Sequence, residues 1–522
     1  MPARRGRPYQ VPVDTTLIGG AAVSVDARVG WLLLMSRLHH HDPGLALGES
    51  FNAALRGVGL QADRSAVSRW ESGKVTPRYS VLVAYEQALR LRAGQLTSVV
   101  NALRRAFVDE GLRAWMPTMD STSEGFHDRL DSLFDALIDG PATGPEWTAL
   151  AHHVAVTDTM YVHGAVWESL TGKLINQMAR SVGVAYLQRF EAVRLLLEHR
   201  VAHPWLLRAT GDFLGDPSVQ VINDPMGVLE ISDAPESAEV ILDKLLTTRS
   251  ADVFGAAVSA VAIKLTDGLY DEADIDRIER RVLSRLDEPG ASVDGYEELL
   301  LALPAASRER LLQAARGLAG HELLAEAAAH GELFGPETTQ QVSHRVADEV
   351  RSGFPAGHLY DEDSLTPRLI REALFAVRSN VMHYASIALL GSPFRPQLAA
   401  VLAVEIEQCG LEDPLAPRFA RLLRYLARPE QEEALLRWLP KAPAPVARDM
   451  ALTLGHLPSD RPLEEMVPLV KGDRSLLDRA LLYGLGMRQA TALRDLAADE
   501  TQREHVRDAA VWWLRQGGAV RV

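Results

Sequence analysis

The stretch Asp63-Arg64-Ser65-Ala66-Val67-Ser68-Arg69-Trp70-Glu71-Ser72-Gly73-Lys74-Val75-Thr76-Pro77 admits little besides a short helix with both ends marked. Asp63 is a strong N-cap, because its short acceptor side chain can hold the first free N–H groups of a helix. The helix is predicted from Arg64 to about Ser72. Gly73 can take the left-handed conformation that ends it, and Pro77 blocks simple continuation. Ala66, Val67 and Trp70 share one face by the three-and-four spacing, and Trp70 is too large to leave exposed. Arg64, Ser65, Ser68 and Arg69 fall on the other side. One face packs, then, and the other offers guanidinium and hydroxyl groups to a partner. The plain alternative is a surface helix whose arginines are solvated. The coincidence of cap, terminator, large aromatic and basic face favours recognition.

The charge distribution points the same way. The 522-residue chain carries a net charge of −14, but residues 1–107 hold 14 Lys+Arg against 7 Asp+Glu, a balance of +7. The remainder stands at −21. A basic N-terminal module on an acidic body suits a head that meets phosphates while the body is repelled by them.

Residues 26–107 are expected to form this head. Val29, Leu32, Leu33 and Leu38 suit an amphipathic first helix over Asp26 to about His41, ending before Asp42-Pro43-Gly44. Leu47 to Val58 supplies a second helix with Phe51, Ala54 and Leu55 inward. Tyr79–Leu91 and Ala93–Phe107 supply the fourth and fifth. His39-His40-His41 diverge around a helix end and are expected to be solvated rather than a metal cluster. Residues 1–25, with Arg4, Arg5 and Arg7 among Pro and Gly, are expected to form a flexible basic arm that reaches a minor groove. The alternative is a tail with incidental charge.

With Ser68-Arg69-Trp70-Glu71 and Gly73-Lys74 in this order, the helix resembles the second helix of the phage-repressor (Xre/Cro) type helix-turn-helix. The resemblance covers about a fifth of the chain and implies a five-helix DNA-binding domain. Carried over residue by residue, it implies that Arg64, Ser65, Ser68 and Arg69 face base edges in the major groove, where Arg can bond guanine bidentately. Lys74 and Arg78 would sit on phosphates. Trp70 and Glu71 would be structural, Glu71 pairing with Arg37 on the first helix. Such modules usually dimerise onto two half-sites of double-stranded DNA. One departure stands out: the link Gly57-Val58-Gly59-Leu60-Gln61-Ala62 is a few residues longer than the tight turn of phage repressors.

Beyond the head an all-α body is expected. Residues 108–146, rich in Pro and Gly, read as a linker with one short helix at Phe126–Ile138. Residues 147–400 read as a helical body of unassigned type. Leu174, Met178, Val182, Leu187, Phe190, Val193 and Leu197 recur at helical spacing, and the best strand candidate is only Val219-Gln220-Val221-Ile222. In residues 401–522 an Asp-x-Ala pattern recurs, with Ala451, Ala480 and Ala510 spaced by 29 and 30 residues. It resembles short HEAT-like repeats, in which small Ala residues let stacked helix pairs approach. Trp512-Trp513 are expected to divide between the core and an exposed face, since neighbours on one helix point apart; the alternative is an assembly surface.

No catalytic constellation stands out. Gly164 to Gly172-Lys173 lacks phosphate-loop spacing, His321-Glu322 lacks the second histidine of a zinc helix, and there is no Gly-x-Ser-x-Gly. His152, His153, Asp158 and His163 have ligand chemistry but not ligand spacing. The single cysteine, Cys409, fits a reducing compartment. The basic Met1–Gln10 segment is followed by no apolar run of signal-peptide type, and no run reaches membrane-spanning length. The expectation is therefore a cytoplasmic, dimeric transcription regulator without cofactor or enzymatic activity, located on the nucleoid when bound. Its body would receive a peptide, protein or small-molecule effector. The alternative is a helical-repeat scaffold or receptor for a protein or peptide, with the head secondary.

Overall fold

The computed structural model describes residues 10–108, 115–157, 160–216, 218–288, 291–354, 363–473 and 475–522. Among them the chain is all-helical, with 27 α-helices and only isolated bridges. Val219–Ile222 forms no strand. No single described helix is long and apolar enough to cross a membrane.

The head comprises α1 (Val25–Leu38), α2 (Gly48–Gly57), α3 (Arg64–Glu71), α4 (Tyr79–Ala88) and α5 (Thr97–Phe107). Ser24 caps α1. Twelve of the 14 residues of α1 are buried, so it is no amphipathic surface helix but the centre of the head. One side meets α3 and α5, and the other meets the body, with Trp31 set 6.0 Å from Phe394. Arg28 is buried on that second side, where a polar face was expected.

The arm expected over residues 1–25 is tied down from Gln10 onward. Asp14 is buried and accepts from Thr16 N (3.0 Å), Ser24 N (3.1 Å) and Arg28 Nε (3.0 Å). Arg28 also donates to Glu372 (2.8 Å), and Arg368 donates to the carbonyls of Asp14 and Thr16. A buried carboxylate satisfied this fully anchors the chain that carries it. Arg4, Arg5 and Arg7 lie outside the described residues.

The body begins earlier than its Pro and Gly content implied. In α6 (Phe126–Asp139) and α7 (Gly144–Ala155), Phe126, Leu130, Leu133 and Leu137 share a core with Trp147 and Leu150. The glycines and proline bound these helices instead of loosening a linker: Gly125 and Gly140 are the end caps of α6, and Pro145 sits in the first turn of α7. That core includes α8 (Gly164–Ala179), α9 (Val184–Glu198) and α10 (His203–Gly215). A second core is built on α11 (Asn223–Glu230), α12 (Pro235–Thr247), α13 (Ala251–Thr266), α14 (Glu272–Leu286), α15 (Glu297–Ala302), α16 (Ala305–Ala314) and α17 (His321–His330).

The C-terminal portion runs through α18 (Pro336–Ser352), α19 (Leu365–Phe375), α20 (Ser379–Gly391), α21 (Arg395–Cys409) and α22 (Ala416–Leu426). Short-then-long units follow: α23 (Glu432–Trp438) with α24 (Ala444–His456), a 3-10 turn (Glu464–Leu469) with α25 (Leu476–Met487), and α26 (Ala492–Ala498) with α27 (Glu504–Gln516). The long helices stack, α22 on α24, α24 on α25 and α25 on α27. Ala451, Ala480 and Ala510 are buried in them, as a close helix–helix approach requires. Asp478 accepts from the Lys471 and Asp473 amides (2.8 Å each), bonding the preceding loop, whereas Asp508 is exposed.

Trp512 and Trp513 are both buried, contrary to the expected division. Their helix is sandwiched: Trp512 meets Phe213 of α10 at 6.2 Å and Trp513 meets Tyr483 of α25 at 5.6 Å. Gly486 makes room, since a Cβ there would overlap the Trp513 indole. The chain end then closes onto α8 and α9, with Val520 N bonded to Arg180 O and Arg189 bonded to Val522 O, both at 2.8 Å. Head and C-terminal helices share one continuous apolar core.

Candidate nucleic-acid interface

The turn between α2 and α3 is set by local chemistry. Gly59 adopts φ +89°, and the Leu60 and Gly59 amides bond the Leu55 and Arg56 carbonyls at 3.0 Å, a glycine-terminated helix end. Asp63 then caps α3, its carboxylate accepting from Ala66 N at 2.6 Å. The exit of α3 repeats the first device. Gly73 has φ +68°, with Gly73 N on Trp70 O (3.1 Å) and Lys74 N on Arg69 O (2.9 Å). Here glycine is required twice over, because a Cβ on Gly73 would lie 2.7 Å from the Asp26 carbonyl oxygen of α1.

Below α3, Val67 is buried and Trp70 half-buried, the latter edge-on to Tyr85 at 6.4 Å. Glu71 is buried and accepts from Arg37 Nε and Nη2, both at 2.6 Å, while Tyr85 Oη donates at 3.3 Å. Arg37 Nη1 donates in turn to Ala46 O (2.7 Å). This bidentate pair clamps α3 to α1 and fixes its rotation about its own axis. Burial and the neighbouring Glu71 charge push the Tyr85 phenol well above its ordinary range, so it remains a donor.

Above, Arg64, Ser65, Ser68 and Arg69 are all exposed, and none of the described residues of the body covers them. Arg69 Nη1 rests on Ser65 Oγ (3.0 Å), and Arg64 Nη1 lies 3.4 Å from Glu49, with the Arg64 side chain 69 % exposed. Contacts this exposed are worth well under about 1 kcal/mol and yield readily to a partner. Lys74 and Arg78 are exposed beside the helix exit, and Lys74 Nζ donates to Gln10 at 2.7 Å. The described chain therefore starts alongside α3.

The singled-out histidines have separate local roles, and His39, expected to be solvated, is packed against the body instead. His39 lies 4.9 Å from both Phe354 and Phe394, and burial brings it down to about 4. His152 stands near Glu191, His163 caps α8 through Ala165 N, and Asp158 lies outside the described residues.

The seam between head and body has no local signature in the sequence. Arg105 of α5 forms a buried bidentate pair with Glu191 of α9. Burial raises the Glu191 carboxyl, but Arg105 and His152 outweigh it and hold it at about 2. Charged residues at helical spacing read as solvated, and nothing local marks one that a distant helix covers.

No protein-family model and no curated protein matches the chain. Among solved structures, that of an engineered protein aligns at 13% identity with a TM-score of 0.21, over 74% of this chain and 99% of its own, a likeness too slight to carry weight.

Proposed function

We propose that the chain is a sequence-specific regulator of transcription that binds double-stranded DNA through α3, in the manner of phage-repressor (Xre) helix-turn-helix heads. The carrying observation is that α3 turns Arg64, Ser65, Ser68 and Arg69 to solvent while Arg37–Glu71 locks the opposite face. A helix fixed in rotation and bare on its basic side can lie in a major groove, with Arg64 and Arg69 reading guanine and Ser65 and Ser68 as short donors or acceptors. Lys74 and Arg78 would set register on phosphates. A head of this size reads a half-site, so a homodimer on two half-sites is the working assembly. Because each head shares its core with the body, an effector would act by changing how two whole chains sit together, not by swinging a head. Compartment, cofactor independence and absence of catalysis follow as parts of this proposal.

The test is selection of duplexes from a random pool by the full chain, followed by binding of the selected site by R64A and R69A variants. Recovery of a two-part consensus, with loss of base preference in the variants, supports the proposal. Binding and salt dependence unchanged in both variants overturn the assignment of α3. A second proposal, a receptor for proteins or peptides built on the stacked units α22 to α27, draws on the concave surfaces such stacks make. Capture of a partner by the full chain, unaffected by R64A and R69A, would favour it.

A further inference from the structure

Helix α10 carries Trp205, Leu207, Phe213 and Leu214, yet only Leu206 and Thr210 of its 13 residues are buried. Its outward ridge, with Arg208, Gly211 and Asp212, is exposed. A groove runs along each side of that ridge. One, of about 270 Å³, lies between α8 and α10 and is lined by Trp205, Ala209 and Phe213. The other, of about 420 Å³, lies between α10 and α12 and is lined by Leu214 and the exposed Val240. At the end of α10, Asp216 pairs with Arg515 of α27 (3.1 Å). Val511, one turn before Arg515 on the same side of α27, is exposed, as is Leu514. Single exposed apolar residues need no explanation, but these adjoin one another on one face, which marks an interaction surface.

Two features of the ridge indicate what covers it. Gly211 sits in the helix interior, where glycine is destabilising relative to alanine, and no atom of the chain lies within 4 Å of the position its Cβ would take. Nothing inside the molecule calls for glycine there. A second helix crossing at that point does, because it brings one backbone close to another. Arg208 and Asp212 are four residues apart and so share a side of the helix. The Arg208 guanidinium lies 5.7 Å from the Trp205 ring centroid, and neither residue forms an ion pair among the described residues. Opposite charges at this spacing are self-complementary. About a two-fold axis passing between them, antiparallel copies of α10 set Arg208 of each copy against Asp212 of the other. An unrelated partner would have to supply both signs in that order, whereas a second copy does so by symmetry. Glu239, Asp243 and Lys244 stand at the rim of the wider groove, where solvent screens them.

We propose that α10 is a two-fold interface, joining a second copy of the chain antiparallel at Gly211 through reciprocal Arg208–Asp212 pairs, with Trp205, Phe213 and Leu214 covered on either side. This interface rests on the homodimer proposed above and gives it a place. The test is sedimentation equilibrium of the full chain without DNA. Wild type should be a dimer at micromolar concentration. G211Q, whose side chain the open space over α10 accommodates, should weaken association at least about 10-fold with helical circular dichroism unchanged. R208D and D212R should each weaken it by a similar factor, because each sets like charges face to face. The double variant R208D/D212R should restore association, because the pairs re-form in reverse. V404S, at an exposed valine of α21, should dimerise as wild type does. A monomeric wild type, a dimer indifferent to G211Q, or a double variant no better than the single ones would overturn the interface. The two proposals fail separately. A monomer that still selects a duplex leaves the DNA reading in place, and a dimer that selects none leaves this interface in place.

Discussion

Arg64 and Arg69 on α3 hold their guanidinium groups in solvent, whereas Arg37, Arg28 and Arg105 of the same head are buried against Glu71, Asp14 with Glu372, and Glu191. Residue type is the same and so is the helical setting; only the partner differs. The basic balance of the head is therefore not one footprint. Part of it is cancelled internally, where it orients α3 and fastens the head to the body, and the exposed part includes the cations in and beside α3. Net charge alone would have overstated the surface available to phosphates.

Breaking the buried side should have the largest effect. E191A strands Arg105 and should cost about 3–5 kcal/mol, read as a shift in the urea midpoint at pH 7. The pair holds the Glu191 carboxyl at about 2, below its unfolded value, so its contribution is full above the ordinary carboxylate range and is lost as pH falls toward 2. The gap between wild type and E191A should accordingly narrow between pH 5 and pH 2, taking roughly the ordinary glutamate value as its upper bound. An unchanged gap would detach the seam's stability from this pair. E71Q, which weakens two charge-assisted bonds but keeps the shape, should cost about 1.5–3 kcal/mol and weaken operator binding in step.

On the exposed side the pattern should invert. R64A and R69A should each leave unfolding within about 0.5 kcal/mol of wild type while costing about 1–3 kcal/mol in affinity for the selected duplex, with relaxed preference at one base. Equal losses of stability and affinity would erase the distinction between the two faces. The smallest change is expected for K74A, which should weaken binding evenly across sequences and reduce the salt slope by about 1.

The helix α3 was legible almost to the residue because its bounds are local matters. A carboxylate at Asp63 reaches three residues on, and Gly73 takes a left-handed φ, whatever lies elsewhere. The pairing of Arg37 with Glu71 was legible only through resemblance, since 34 residues separate them. Segment 10–24 looked free because Pro, Gly and small residues carry no helical pattern, and its anchor, Arg368, lies more than 350 residues away.

Sequence by itself determined the helical class, the caps and stops of α3, and which of its sides is basic, because periodicity and capping act within one or two turns. Tertiary structure decided that α1 is covered all round, that Trp512 and Trp513 are both enclosed, and that Arg105 of the head pairs with Glu191 of the body. Those outcomes depend on which distant helix covers which face, and a single helix's pattern shows only that a face is apolar or charged, never what comes to rest on it.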